Sequence, residues 1–202
     1  MKNILKLIVL TITILLVFTA CGDKKAAEPD PTTEPVSTEQ TTIDETTTET
    51  TTEKELPKEP VTMKVTCTST TSDGKLLTKC AATYANGQNL VPGISWDAVD
   101  SAKSYAVYIL DESASNWLHL KTITTTNSIK EGENISGQYV GPYPPSGTHN
   151  YTIYVLALKD APSTLQGNFD STNGNISSLT QNLTILGQGS TTVKYANGDN
   201  NV

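Results

Sequence analysis

The stretch Gly22–Pro60 most limits what this chain can fold into, because it offers little to a folded core. It contains no aromatic residue and is dominated by threonine, glutamate and proline. Such a segment cannot bury enough apolar surface to offset the conformational entropy that is lost on ordering. We therefore expect residues 21–60 to be a disordered stalk and residues 61–202 to form one domain with its own core.

Charge is distributed unevenly between these two parts. Residues 22–60 have eleven acidic residues and four lysines, a net charge of −7, whereas residues 61–202 have ten acidic residues and eight lysines, a net charge of −2. The acidity therefore belongs to the stalk and gives no information about a ligand. The chain contains no arginine, so it lacks a guanidinium fork for anions and a basic stripe for nucleic acid. We expect no nucleic-acid partner.

The first 20 residues have the organisation of a secretory signal. Lys2 and Lys6 precede an apolar run, Ile8–Phe18, and small residues follow before Cys21. A cysteine directly after a small residue resembles a bacterial lipobox, which implies cleavage before Cys21 and a lipid on its thiol. We expect a signal peptide over residues 1–20 and a protein held by its acyl chains on the extracytoplasmic face of a bacterial cell membrane. An uncleaved membrane helix is disfavoured, since spanning takes about 20 apolar residues.

Short apolar runs between glycine- and proline-rich loops predict a mainly β domain after the stalk. In chain order the predicted strands are Thr62–Cys67, Leu76–Tyr84, Ile94–Trp96, Ser104–Leu110, Trp117–Ile123, Tyr151–Leu158 and Thr191–Tyr195. One stretch predicts a helix, because apolar residues recur there at steps of three and four. These residues are Ile176, Leu179, Leu183 and Leu186, with Asn175 as the N-cap and Gly187 as the terminator.

Cys67 and Cys80 are the two cysteines that follow the stalk. They lie on two predicted strands that flank the turn signal Thr71–Gly74, and an exported protein favours an oxidised pair. We expect a disulfide, which would stabilise the domain by about 3 kcal/mol on the chain-entropy model. Two free buried thiols are the alternative.

The chain's two histidines lie near the ends of predicted strands. His149 follows the stiff loop Gly141–Gly147, in which three prolines and two glycines restrict the backbone, and His119 follows another strand by a short loop. With Asp111 and Tyr151 they offer two imidazoles, a carboxylate and a phenol, which can hydrogen-bond a phosphate or carboxylate ligand. The alternative is that both histidines are structural.

Four motifs follow one another in this part of the sequence. They are Asn86–Trp96, of the form N-G-x-N-x-x-P-G-I-x-W; Ala102–Ser115, an apolar run that leads into an aspartate; Trp117–His119, W-x-H; and Gly141–Tyr151, which joins G-P-x-P-P to H-N-Y. In this order they resemble the phosphatidylethanolamine-binding protein family, which includes Raf kinase inhibitor protein. The resemblance covers about residues 61–195. It implies an antiparallel β-sandwich of a large and a smaller sheet, with one short helix towards the C-terminus.

The resemblance also implies that Asp111, His119, His149 and Tyr151 form the ligand pocket. The implied ligand is a phosphoethanolamine-like head group or a simple anion. Some positions depart from the family pattern: Glu112 and Ser115 replace prolines, Ser113 replaces a second aspartate, and Asn150 replaces the arginine of H-R-Y.

We expect from these features a non-covalent binding protein for a small anionic or zwitterionic ligand, without a cofactor and without enzymatic activity. A metal site of two histidines and a carboxylate is disfavoured, because no H-x-H or H-x-x-x-H spacing occurs. A hydrolase is disfavoured too, since Ser146 near His149 is not part of a G-x-S-x-G elbow. The alternative function is a surface interaction or inhibitor module with an unknown protein partner, since some members of the family bind kinases or proteases.

Overall fold

A computed structural model describes residues 59–135 and 137–202 of the chain. The predicted signal peptide, Cys21 and residues 21–58 of the predicted stalk lie outside these ranges. In the described part no helix is both long and apolar enough to cross a bilayer.

The described residues form a mainly β domain of two sheets and one α-helix. The strands are β1 (Val61–Thr62), β2 (Val65–Cys67), β3 (Ile94–Trp96), β4 (Ser104–Asp111), β5 (Trp117–Thr124), β6 (Ser128–Ile129), β7 (Gln138–Tyr139), β8 (Thr148–Leu158) and β9 (Ile185–Ala196). The large sheet has the order β1-β9-β8-β4-β5-β7, and the small antiparallel sheet has the order β2-β3-β6. The two-sheet architecture expected from the sequence is confirmed, although β1 pairs with β9 in parallel and makes the large sheet mixed.

Strand β4 is the centre of the large sheet. All eight of its residues are buried, and alternate side chains of a strand point to opposite faces. Tyr105, Val107 and Ile109 pack in the core shared with the small sheet. Ala106, Tyr108 and Leu110 pack on the other face with Leu179 of the helix. Burial on both faces explains why the sequence of β4 is a continuous apolar run.

Helix α1 (Ile176–Thr180) begins where the sequence predicts and ends earlier. The side chain of Asn175 accepts a hydrogen bond from the backbone N–H of Ser178 at 3.0 Å, as expected of an N-cap. The predicted continuation is wrong, because Ile185–Ala196 forms β9 and Gly187 pairs with Ala157 of β8. The sheet therefore takes residues whose spacing alone fits a helix.

The predicted strand Leu76–Tyr84 is not present. Two short 3-10 helices, Thr78–Cys80 and Thr83–Ala85, occupy this stretch, and Leu76 forms only an isolated bridge with Thr70. The segment instead packs under the proline-rich loop Gly141–Gly147, where the N–H of Ala82 donates to the carbonyl of Pro142 at 3.2 Å.

The disulfide predicted on the basis of that strand is also absent from the structure. Cys67 lies in β2 and Cys80 ends a 3-10 helix, and both are free, buried thiols. The reason is that the expected hairpin does not form, so the two cysteines do not face each other across paired strands. Burial raises the pKa of Cys67 to about 11 and that of Cys80 to about 12, which keeps both protonated and unreactive at neutral pH.

Candidate functional site

A cavity of about 330 Å³ opens at the end of the large sheet where β4 finishes. Asp111, the last residue of β4, pairs with Trp117 of β5 on one side and with Tyr151 of β8 on the other. These three residues therefore form a row across three adjacent strands. His119 and His149 line the same cavity. The structure thus brings together all four residues predicted as ligand contacts.

Asp111 holds His149 in one orientation. Its Oδ2 accepts a hydrogen bond from Nδ1 of His149 at 2.7 Å, and its Oδ1 accepts one from the N–H of Ser113 at 2.9 Å. The carboxylate is 3% exposed, and both of its oxygens have partners. Asp111 therefore positions the imidazole, and Nε2 is the ring nitrogen of His149 that remains for a ligand.

His119 is held in the same way by the backbone. Its Nδ1 donates to the carbonyl of Val140 at 2.9 Å, and the N–H of Val140 donates to the carbonyl of His119. Burial lowers the pKa of this imidazole below its ordinary value, so the neutral ring predominates at pH 7. In that form Nε2 of His119 is a hydrogen-bond acceptor.

Tyr151 lies between the two imidazoles. Its ring contacts His119 edge-on with centroids 5.2 Å apart, and it stacks near His149 at 6.4 Å. Burial, and then the nearby Asp111 carboxylate, raise the pKa of the phenol well above its ordinary value, so the hydroxyl keeps its proton. This buried hydroxyl has no hydrogen-bond partner among the described residues, although the Asp111 carboxylate is near enough to raise its pKa.

The proline-rich loop packs against Leu76–Tyr84, the segment that was predicted to be a strand. Gly141 leaves no space for a side chain, because a Cβ there would collide with the backbone of Cys80 and Ala81. The N–H of Gly141 donates to Oδ1 of Asn89 at 2.7 Å. The motif around Asn89 and the G-P-x-P-P motif therefore act together to hold one wall of the cavity.

A family model described as phosphatidylethanolamine-binding protein matches residues 67–196, which is more than half of the chain. The chain belongs to this family. The family resemblance drawn from the four motifs is confirmed. No curated protein matches the sequence.

Two solved bacterial structures of the phosphatidylethanolamine-binding protein family have a similar fold. CT736 from Chlamydia trachomatis, described as a homologue of that protein, aligns with a TM-score of 0.52 and 19% identity over 66% of this chain and 97% of its own. YbcL from E. coli, described as a new member of the mammalian family, aligns with a TM-score of 0.53 and 19% identity over 66% and 98%. At this identity the likeness shows the fold alone.

Two of the positions that depart from the family pattern, Ser113 and Asn150, contact each other where β4 ends and β8 begins. Ser113 belongs to the short 3-10 helix Glu112–Ala114 that Asp111 caps, and its hydroxyl accepts a hydrogen bond from the N–H of Asn150 at 3.0 Å. Asn150 is exposed and is not part of the cavity lining. Ser113 therefore ties the end of β4 to the start of β8.

Nine further residues line this cavity, and four of them have aromatic or charged side chains that were not predicted as ligand contacts: Tyr84, Trp117, Tyr143 and Asp170. Trp117 donates from Nε1 to Oδ1 of Asp170 at 3.1 Å, and Tyr84 contacts Tyr143 edge-on with centroids 4.6 Å apart. The W-x-H motif contained a signal for Trp117. Asp170 comes from a distant loop and Tyr84 from the 3-10 helix Thr83–Ala85, and their spacing in the sequence gives no indication of the site. Among the described residues, no group of three metal-ligating side chains is positioned to hold a metal ion.

Proposed function

We propose that the domain binds a small anionic or zwitterionic ligand of the phosphate or phosphoethanolamine type, non-covalently and without catalysing its conversion. The observation that carries this proposal is the hydroxyl of Tyr151. It is a buried donor that has no hydrogen-bond partner among the described residues, although nearly all buried polar groups in proteins have one. Tyr151 lines the cavity, and its hydroxyl has almost no accessible surface, so in this proposal a ligand oxygen becomes its partner when the side chains around it shift.

The imidazoles contribute according to their protonation. Because Nδ1 of His119 and Nδ1 of His149 are committed to Val140 and Asp111, each ring offers only Nε2 to a ligand. A neutral ring of this kind accepts a hydrogen bond at Nε2, and a protonated ring donates one. The domain therefore binds an anion through the phenol at neutral pH and gains donors as the histidines protonate.

Calorimetric titration of phosphate and phosphoethanolamine into the full chain tests this function. Tyr151→Phe removes only the hydroxyl and should weaken binding about tenfold, as expected for one lost hydrogen bond to a charged group. Tyr195→Phe is the matched control, because it also removes a buried, unpartnered hydroxyl from a residue outside the cavity lining. Equal affinities for wild type and Tyr151→Phe would rule out this site assignment.

The domain acts, in this proposal, on the extracytoplasmic face of a bacterial cell membrane. The support comes from the sequence: the signal-like residues 1–20, the lipobox-like Cys21 and the acidic stalk. Palmitate labelling of a producing bacterium should mark the wild-type chain and not Cys21→Ser. Labelling that is unchanged in Cys21→Ser would exclude an anchor at this residue.

A protein-binding role is the second candidate. Tyr84 and Tyr143 are 65% and 44% exposed, and such aromatic pairs are common in contact surfaces. A partner that binds here without contacting the hydroxyl of Tyr151 would still be captured by the Tyr151→Phe variant and lost from a Tyr84→Ala, Tyr143→Ala double variant.

A further inference from the structure

The segment that follows β9, residues 197–202, folds back onto the stretch that begins at Leu76. The N–H of Thr78 donates to the carbonyl of Asn201 at 2.9 Å, and the N–H of Asn201 donates to the hydroxyl of Thr78 at 2.7 Å. The side-chain amide of Asn201 donates to the carbonyl of Leu76 at 2.9 Å. We call residues 197–202 the C-terminal clasp, because they tie two distant parts of the chain together.

The hydroxyl of Thr78 makes two of the bonds of the clasp. It accepts from the N–H of Asn201 and donates to the carbonyl of Asp199 at 3.0 Å. Thr78 is buried, so removing its hydroxyl would leave two backbone groups of the clasp without their partner. Asp199 is itself fixed, because its Oδ2 accepts from the N–H of Ala196 and its Oδ1 lies 3.7 Å from Nζ of Lys75. The clasp therefore depends on Thr78.

Thr78 begins the 3-10 helix that supports the proline-rich loop. This helix ends at Cys80, whose carbonyl accepts from the hydroxyl of Tyr139 at 2.6 Å. Cys80 and Ala81 are fully buried and leave no room for a side chain at Gly141, and Gly141 lines the cavity. Continuous contacts therefore connect the clasp, the 3-10 helix and one wall of the cavity.

Polar contacts rather than apolar burial hold the clasp in place. Val202 is fully exposed and Asn200 is exposed, and none of residues 197–202 belongs to the two buried hydrophobic clusters. Segments with few apolar contacts open at a lower free energy than the core does. The clasp can therefore open while the sheets remain folded, and the wall of the cavity then loses support.

We infer that the clasp holds this wall in the position that binds a ligand, and that Thr78 and Asn201 are positioning residues for the cavity. This inference rests on the proposed binding function and assigns a means of regulation to the same site. Neither residue lines the cavity, so both act through Cys80 and Gly141. By linkage, an open clasp weakens binding, and a bound ligand keeps the clasp closed.

Thr78→Val in the full chain tests this role, because it removes the hydroxyl and keeps the size of the side chain. The amide protons of Ala82 and Gly141 are both hydrogen-bonded at this wall. In the variant they should exchange with deuterium about tenfold faster, as expected for one lost hydrogen bond. Binding of phosphoethanolamine, measured by calorimetry, should weaken about fivefold. Thr78→Ser keeps the hydroxyl and should match wild type in both measurements.

The reverse effect is measured on wild type. Saturation with phosphoethanolamine should slow the exchange of the Asn201 amide proton about fivefold, because coupling is reciprocal. The amide proton of Thr126, which donates to the hydroxyl of Thr124 in the turn after β5, is the internal control and should not change. A residue that only stabilises the fold would not show this response.

Thr180→Val is the matched control for Thr78→Val. Thr180 is a buried threonine of helix α1 whose hydroxyl donates to the carbonyl of Ile176 at 2.9 Å, and it is not part of the cavity lining. This variant loses the same group, so it corrects for a general loss of stability. Asn201→Ala removes only side-chain bonds at a half-buried position, and it provides the same test if Thr78→Val does not fold.

The outcomes separate this inference from the proposed function. If exchange at Ala82 and Gly141 is unchanged in both clasp variants, or rises equally in Thr180→Val, the positioning role is wrong and the binding function stands. Faster exchange with unchanged affinity would overturn the positioning role as well. If wild type binds no phosphoethanolamine, the proposed function is wrong and the positioning role falls with it.

Discussion

Asp111 accepts a hydrogen bond from Nδ1 of His149 at 2.7 Å across the ends of β4 and β8. The same carboxylate caps the 3-10 helix that follows β4, through the N–H of Ser113. A single buried carboxylate therefore couples the end of a strand, a helix start and the orientation of one imidazole. Its role in the cavity is to fix geometry.

Replacing this carboxylate by an amide should break one of the two contacts. In Asp111→Asn one oxygen must serve two donors, because the amide nitrogen cannot accept a hydrogen bond. We expect the free energy of unfolding to fall by about 1–3 kcal/mol, which is the cost of an unsatisfied buried polar group. Urea denaturation measures this change, and ¹⁵N NMR of the imidazole should show that His149 no longer has Nδ1 protonated in most molecules.

Glu112→Gln is the control for this variant. Glu112 neighbours Asp111, is exposed, and accepts from the hydroxyl of Tyr154 at 2.7 Å, and the amide oxygen of glutamine can still accept that bond. Its stability and the His149 spectrum should match those of wild type. A Glu112→Gln loss as large as that of Asp111→Asn would mean that charge alone, and not the two hydrogen bonds, is responsible.

The sequence predicted the fold well where strand sequences are locally distinctive. β4, β5 and β8 are long apolar or alternating runs, and the prediction located each within a few residues, although β8 begins at Thr148 rather than at Tyr151. The two-residue strands β6 and β7 are not among the predicted strands. Such short pairings depend on the neighbouring strand and leave no periodic pattern.

The errors have a common physical cause, which is tertiary contact. Leu76–Tyr84 has strand-like composition, yet its backbone hydrogen bonds go to scattered partners: Ser69, Lys194, Asn201, Pro142 and the loop at Gln88–Leu90. Leu183 and Leu186 fit a helical period, yet Ile185 and Gly187, which flank Leu186, pair with β8. Within the site, motifs indicated Asp111, His119, His149 and Tyr151, whereas Asp170 reaches the cavity only because its loop folds onto β5.

The stability of the domain should depend on pH through His119. The folded state lowers the pKa of this imidazole, so below about pH 6.5 the unfolded chain binds more protons than the folded one. The contribution of His119 is therefore present above that pH and is lost as the pH falls through it. His119→Gln can still donate to Val140 and does not titrate.

Urea denaturation of both proteins between pH 5 and pH 8 checks this dependence. The carboxylates of Asp111 and Asp170 and the imidazole of His149 also face this region. The quantity to compare is therefore the difference in the free energy of unfolding between wild type and His119→Gln at each pH. Wild type should lose stability relative to the variant as the pH falls below 6.5. A constant difference over the whole range would show that His119 does not titrate differently in the folded state.

Ligand affinity should change with pH in the opposite sense to stability. Protonation turns Nε2 of His119 and of His149 from an acceptor into a donor, since both Nδ1 atoms are committed. Tyr151 stays protonated over this range because its pKa is raised. Binding of a phosphodiester should therefore strengthen as the pH is lowered from 8 to 5.

A diester is the suitable probe, because its charge is constant over this range, whereas a phosphomonoester loses charge near pH 6. Calorimetry with glycerophosphoethanolamine at four pH values gives the affinities. A flat profile in wild type would exclude any contribution of the imidazoles. His119→Gln should retain only the part of the dependence that belongs to His149.

The wall formed by the proline-rich loop should be sensitive to a single methyl group. A Cβ at position 141 would collide with the backbone of Cys80 and Ala81, and backbone atoms cannot move aside as a side chain can. We expect Gly141→Ala to lower the free energy of unfolding by about 1–3 kcal/mol, typical of an overpacked core, and to weaken phosphoethanolamine binding.

Gly147→Ala in the same loop is the control, because a Cβ at position 147 has open space around it and the residue has a φ of +68°. It should cost about 1–2 kcal/mol through backbone strain and leave binding unchanged. Equal effects of the two changes on binding would show that the packing of Gly141 against Cys80 does not shape the cavity.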